Sequence, residues 1–207
     1  MTRPAGTPKI RTVRPSIFSR KEPVILSDLD KSLFYWINSH FQSPLFGKFM
    51  VFVSDKYNFL SVGVLAAGIV LLVHKRHGLA YLLILAAVVV FNDFFCHHIL
   101  KQIFQRLRPC AALPDVIVHI GCSEANFSFP SNHASNIFTA ATMTSFCFKN
   151  TFLFAIAFAS MVGFSRVYLG AHYPSDVLAG AAWGLLMGGL GYLLHQRAIA
   201  PIPAKAH

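Results

Sequence analysis

Apolar residues dominate this chain in long unbroken runs. The clearest are Asn58 to Val73, Leu79 to Phe95, Ala134 to Phe148, Thr151 to Phe164 and Val177 to Leu194. Each approaches the roughly 20 residues that a helix needs to cross a bilayer core. They are continuously apolar, without the alternation of a barrel strand. The pattern predicts an all-α fold, a polytopic transmembrane helix bundle with five spans. The segment Ile25 to Val53 breaks the pattern. It is aromatic (Phe34, Tyr35, Trp36, Phe41) but interrupted by Asn38, His40, Gln42, Pro44, Gly47 and Lys48. A helix lying in the interface or a broken re-entrant pair fits it, and a sixth crossing stays open.

Composition sharpens this picture. Of 207 residues 55% are hydrophobic and only 13% charged, with 14% aromatic, against about 25% charged in soluble domains. We expect one membrane domain over residues 1–207. It comprises a basic tail (1–24), interfacial or re-entrant helices (25–53) and a helical bundle (54–198).

The formal net charge of +10 raises nucleic acid as a partner. The cations do not form a patch with interleaved aromatics, so nucleic acid is not expected. Six Lys or Arg residues lie in the first 21 residues, a tail suited to anionic lipid and without the apolar stretch of a signal peptide.

Lys75, Arg76, Lys149, Arg197 and Lys205 fall on one side of the expected spans. The positive-inside rule makes that side cytoplasmic. Five crossings would put the basic tail outside, so the parity stays open.

Three polar clusters fall on the opposite side: KQIFQRLRP (Lys101 to Pro109), PSNH (Pro130 to His133) and SRVYLGAHYPSD (Ser165 to Asp176). Lys101 and Arg108 are two helical turns apart, hence on one side of a helix end; Arg106 lies elsewhere and reads as snorkelling. Pro130 and Ser131 read as a helix start, Ser131 as its N-cap, with free amides suited to an anion. In the third cluster Asp176, four residues after His172, can hold one imidazole nitrogen and leave the other as base or nucleophile. Cations, an anion-ready helix start, two histidines and a carboxylate on one face suggest phosphate chemistry.

With these three motifs the sequence resembles the type 2 phosphatidic acid phosphatase superfamily of membrane lipid phosphatases. The family patterns K-x6-R-P, P-S-G-H and S-R-x5-H-x3-D recur in order and with their internal spacings, over roughly Phe91 to Leu194. The departure is Asn132 in place of the usual glycine.

The resemblance implies that His172 is the nucleophile forming a phosphohistidine, Asp176 its orienter and His133 the general acid. Lys101, Arg108, Arg166, Ser131 and the Asn132 amide would hold the phosphoryl oxygens. It implies no metal and no other cofactor. The substrate would be a lipid phosphate or diphosphate at the extracytoplasmic face of a bacterial inner membrane. Undecaprenyl diphosphate, phosphatidylglycerophosphate and lipid A types are all represented in the family, and a polyprenyl or lipid A type is favoured here. A lipid-to-lipid phosphotransferase and a non-enzymatic headgroup-binding or transport bundle remain as alternatives.

Other residues carry smaller expectations. Asp93, costly within a span, serves either as a structural polar contact or as support for catalysis. Cys110 and Cys122 bracket a loop on the outer side and could form a disulfide; Cys96 and Cys147 read as buried thiols. Gly180, Gly184 and Gly188 suggest close helix packing, with a homodimer face as the alternative. His74, His77, His97 and His98 read as interface residues.

Overall fold

In a computed structural model the protein is described over residues 9–10, 24–121 and 127–200. Its helices are α1 (Val24–His40), α2 (Pro44–Ser54), α3 (Leu60–Phe95), α4 (Lys101–Phe104), α5 (Pro109–Ala112), α6 (Asn132–Cys147), α7 (Phe152–Tyr168) and α8 (Pro174–Ile199). Two two-residue strands, Lys9–Ile10 and Ile117–Val118, pair antiparallel. The fold is otherwise helical.

Among the described residues three stretches are long and apolar enough to cross a membrane: Lys56–Ala112, Lys149–Tyr168 and Pro174–Ile199. The first holds two of the expected runs. Lys75, at the junction expected between them, leaves helical geometry with φ 48° and ψ −117°. A Cβ added to Gly78 would come 2.5 Å from the Val70 carbonyl oxygen. Residues eight apart in a straight helix are separated by about 12 Å, so the chain bends sharply back on itself at Lys75.

The expected run Ala134 to Phe148 coincides with α6. This 16-residue helix is flanked by α3, α7 and α8. Leucines and phenylalanines on the outer helices, among them Leu72, Leu153, Phe154 and Leu178, stay exposed, as a lipid-facing surface requires.

The closest pairing in the bundle is α6 against α8. A Cβ on Gly180, Gly184 or Gly188 would lie 2.5, 2.5 and 2.6 Å from the carbonyl oxygens of Ser131, Ser135 and Thr139 respectively. The glycine stripe therefore serves packing inside the bundle, and it is α6 that fills it. Gly189, with open space around it, is the internal control. We expect Gly184→Val to lower the melting temperature in detergent and to cut activity, while Gly189→Ala changes neither. Overpacking of this kind costs about 1–3 kcal/mol or more, and a thermal-shift comparison of the two variants checks it.

The segment Ile25 to Val53 forms the pair α1 and α2, broken at Phe41 to Ser43, with Ser43 capping α2 by accepting from the Phe46 amide at 3.2 Å. Both helices pack on α7. Phe34 of α1 is fully buried with Val167 and Tyr173, while Met50 of α2 is buried with Tyr168 and Leu169. Asn38, also buried, donates to the Ile117 and Tyr168 carbonyls and accepts from the Ile117 amide. These contacts clamp the α7–α8 connection from both sides.

At one end of the bundle, His74 packs on Phe148 and His195 reaches the His77 carbonyl. Lys75, Arg76, Lys149 and Arg197 are neighbours of these residues in sequence and share that end. The three polar clusters lie at the other.

Candidate active site

The connection between α7 and α8 delivers the first histidine. Gly170, at φ +82°, ends α7. The Gly170 amide donates to the Val167 carbonyl and the Ala171 amide to the Arg166 carbonyl, both at 3.1 Å. This is the Schellman pattern that a left-handed glycine permits. The His172 amide also donates to the Arg166 carbonyl, at 3.2 Å, so the turn carries His172 back beside Arg166.

Pro174 then starts α8, where a missing N–H costs nothing. Asp176 Oδ2 accepts from the Tyr173 amide at 2.8 Å. The same oxygen faces His172 Nδ1 at 3.6 Å, beyond hydrogen-bond range, and His172 Nδ1 has no hydrogen-bond partner among the described residues.

The second histidine comes from the start of α6. Ser131 is its N-cap, as expected, its Oγ accepting from the Ala134 amide at 3.4 Å. The Ser131 amide donates to the Asp176 carbonyl at 3.0 Å. That bond, with the glycine stripe below it, fixes the two helix starts to each other and hence His133 relative to His172.

The cations arrive by a route that the sequence did not predict. Helix α4 stops at Phe104, where Gln105 is left-handed with φ 48°, and Arg108 is extended. Lys101 and Arg108 therefore do not project from one helix end by periodicity. They converge because the chain breaks between them. Lys101 is buried and its Nζ donates to the Phe127 carbonyl at 2.7 Å. Arg108 Nη1 lies 3.5 Å from the Ala171 carbonyl. Arg166, also buried, donates from Nη1 to Ser54 Oγ, and its buried Nε has no partner among the described residues.

Arg106 does not snorkel. It donates from Nη1 to Asp176 Oδ1 and from Nη2 to Asp30 Oδ2, each at 2.7 Å, and its guanidinium lies 3.9 Å from the centroid of the Tyr173 ring. Asp30 in turn accepts from the Ser175 amide at 2.9 Å. Asp176 is thus held by Arg106 and by the Tyr173 amide while it faces His172.

Sequence reasoning missed both Arg106 and Asp30, which lie 76 residues apart. No local pattern signals such a pair. Removing one partner of a buried ion pair leaves an uncompensated charge at a cost of about 3–5 kcal/mol. We expect Arg106→Gln to lower kcat about 10- to 100-fold with a smaller change in KM, and to lower the melting temperature. Steady-state kinetics and thermal unfolding of the purified variant check both.

A cavity of about 680 Å³ collects these groups. Lys101, Arg108, Asn132, His133 and His172 line it, together with Ser54, Lys56, Asp93, His97 and Asn136 and the apolar Val53, Phe59, Val89, Ile137, Phe158 and Val162. Ser131, Arg166 and Asp176 are buried behind the wall. His97 is a wall residue of the cavity and not only an interface residue. Asp93 accepts from Asn132 Nδ2 at 3.1 Å and Asn136 Nδ2 at 2.8 Å, which accounts for the side chain standing where the family has glycine.

The electrostatics follow from this crowding. Burial, followed by the Arg108, Arg166 and Lys101 charges, holds His172 well below the usual histidine range, with the Ser128 backbone opposing. His133 opens onto the cavity, yet the protein around it, and Arg166 next, push its pKa down to about 3. Both imidazoles are neutral at pH 7 in the empty site, and a neutral His172 is a competent nucleophile.

Among the described residues no carboxylate pairs with Lys101 or Arg166, and no group of three or more His, Cys, Asp or Glu is placed to hold a metal ion. Cys96 and Cys147 are free thiols, the first fully buried. Cys110 is buried in the cluster around Phe34, and its expected partner Cys122 lies outside the described residues.

The family profile described as the PAP2 superfamily matches residues 77–200. The chain is 31% identical over 195 residues to a lipid A 4'-phosphatase of Bacteroides thetaiotaomicron, covering 87% of this chain and 85% of that one. It is 33% identical over 115 residues to phosphatidylglycerophosphatase B of Bacillus subtilis, about half of each chain. Among solved structures, Aquifex aeolicus LpxE superposes with a TM-score of 0.63 at 26% identity, covering 79% of this chain and 94% of that one. A transmembrane PAP2-type phosphatidylglycerolphosphate phosphatase of Bacillus subtilis superposes with a TM-score of 0.65 at 24% identity, covering 83% and 87%, and shows the same fold.

Proposed function

The chain belongs to the PAP2 superfamily and is a membrane lipid phosphatase, and on that premise we propose that it hydrolyses a lipid A type phosphate monoester through a phosphohistidine on His172. The observation that carries the reading is the pair of buried cations, Lys101 and Arg166, which among the described residues have no paired carboxylate and stand around two neutral histidines. Buried charge without a counter-charge is costly, and a bound phosphate is the anion that offsets it. Two lipid A 4'-phosphatases among the relatives, at 31% and 28% identity over 87% and 81% of this chain, support the substrate class.

In the proposed reaction the phosphoryl group sits among Lys101, Arg108, Arg166, the Ser131 hydroxyl and the Asn132 amide. The imidazole of His172 attacks phosphorus in line with the leaving oxygen. The P–O bond to the lipid breaks as the P–N bond forms, and His133, protonated once the bound phosphate offsets the cations around it, gives its proton to the departing oxygen. Asp176 steadies the positive charge that the His172 ring acquires. Water, deprotonated by His133, then attacks phosphorus, the P–N bond breaks and inorganic phosphate leaves. The Arg and Lys clamp is strongest for the charge spread over the equatorial oxygens in the transition state.

The apolar stretch of the cavity, from Val53 and Phe59 to Phe158 and Val162, suits the acyl portion next to the headgroup. Lys75, Arg76, Lys149 and Arg197 mark the opposite end of the bundle as cytoplasmic, so the site faces the periplasm. Inorganic phosphate release from a panel of lipid phosphates in detergent tests the reading. Turnover of lipid A above the other lipids, lost in His172→Ala, is expected; no turnover of any lipid phosphate would end it.

A further inference from the structure

The cavity has two chemically different walls. One is the cationic clamp. The other is built from Asp93 of α3, His97 just beyond its end, and Asn132 and Asn136 of α6. Both asparagine side chains donate to the same oxygen, Asp93 Oδ1. Among the described residues Asp93 Oδ2 takes no hydrogen bond, and Asn132 Oδ1 is a buried acceptor without a partner. The second asparagine is fixed from behind, its Oδ1 accepting from Asn92 Nδ2 at 2.6 Å, and Asn92 is itself tied to Ser135 at 2.8 Å. The wall is therefore held rigid by the α3–α6 network while two acceptor oxygens remain unused.

We propose that this wall is the subsite for the leaving group, and that it selects a neutral leaving group rich in hydroxyl or amide N–H donors, such as an acylated amino sugar. The inference rests on the phosphatase reading and narrows it. Asp93, Asn132 and His133 line the same cavity, so the acceptors share it with the residue that protonates the leaving oxygen. An unpaired acceptor lining a binding site rewards a donor that reaches it and disfavours an analogue that lacks one. A polyprenyl diphosphate brings no donor to this position. Its leaving group is an anionic phosphate, which the Asp93 carboxylate repels. The glycine that the family motif usually carries at 132 could not supply the oxygen.

The test is a ratio measured on one preparation at a time. The full-length protein in detergent is assayed on an acylated glucosamine phosphate monoester, on diacylglycerol phosphate and on a polyprenyl diphosphate, as wild type, Asp93→Ala, Asp93→Asn and Asn132→Gly. Because Asp93 also ties α3 to α6, its variants could fold poorly. The ratio of kcat/KM between two substrates does not depend on the fraction of folded enzyme.

We expect the wild-type ratio of sugar phosphate to diacylglycerol phosphate to exceed 1, and to fall roughly 10- to 100-fold in Asp93→Ala and Asn132→Gly. Asp93→Asn, which keeps an oxygen but loses the charge, should raise relative turnover of the diphosphate. Ratios unchanged in both Asp93→Ala and Asn132→Gly, or a wild type that prefers the diphosphate, would overturn the subsite while leaving the phosphatase intact. A wild type with no turnover on any of the three overturns the phosphatase reading and the subsite with it.

Discussion

His172→Ala is expected to lower phosphate release by at least about 10⁴-fold while leaving the clamp able to bind an anion. The expectation follows from where the ring sits. His172 is buried, lines the cavity, and feels the charges of Arg108, Arg166 and Lys101, the cations that would hold the phosphoryl group against it. When a covalent nucleophile is removed, what survives is the contribution of positioning and charge alone, which is small beside the whole.

Lys101, Arg108 and Arg166 remain in the variant. Orthovanadate, which resembles the transferring phosphoryl group, should therefore still raise its melting temperature. A dead enzyme that also fails to respond to vanadate would point to collapse of the site. A variant retaining more than about a hundredth of wild-type activity would contradict a covalent role for His172.

The second large effect belongs to His133. His133→Ala should cost about 10²- to 10⁴-fold on a lipid substrate, the range for loss of a general acid. On a nitrophenyl phosphate, whose phenolate departs without a proton, the first step should lose far less, read as a burst of nitrophenolate before the slower hydrolysis of the phosphohistidine. The same change of leaving group should not rescue His172→Ala.

The pH dependence has a definite sign. In the empty site His133 titrates at about 3, pushed down by the protein around it and by Arg166, with His172, Arg108 and Lys56 adding to the effect. A bound phosphate dianion offsets those cations and raises the value. Because His133 must be protonated to donate, kcat should fall as pH rises through its value in the complex. That alkaline limb should vanish in His133→Ala. Profiles of kcat against pH for the two proteins check both statements; an alkaline limb unchanged in the variant would remove His133 from the role.

Local chemistry made much of this site legible in the sequence. The helix start at Ser131 was readable because capping is decided within four residues, and the glycine stripe because its period of four matches a helix face. Lys101, Arg108, Asn132, His133 and His172 line one cavity and Ser131, Arg166 and Asp176 are buried, although Lys101 and Arg108 reach it through the left-handed break at Gln105 and not along a helix side. That break has no strong signature, since glutamine rarely takes a positive φ.

Long-range contacts were out of reach. Nothing near Arg106 announces Asp30, and nothing near Arg166 announces Ser54, because α1 and α2 meet the site only after the bundle has formed. Asp93 and Asn132 were each noted singly, as a costly carboxylate and as a departure from the family pattern. The structure makes them one feature: the side chain added at 132 and the acid at 93 hydrogen-bond to each other.

The central claim is that phosphorus becomes bonded to His172 during turnover. The most direct measurement is rapid quenching of the enzyme with a ³²P-labelled lipid phosphate, followed by mapping of the labelled peptide. Label that resists alkali, is lost in acid and lies on the peptide containing His172 is the predicted result. Full turnover with no label at any quench time, or with label on a residue other than His172, would contradict it.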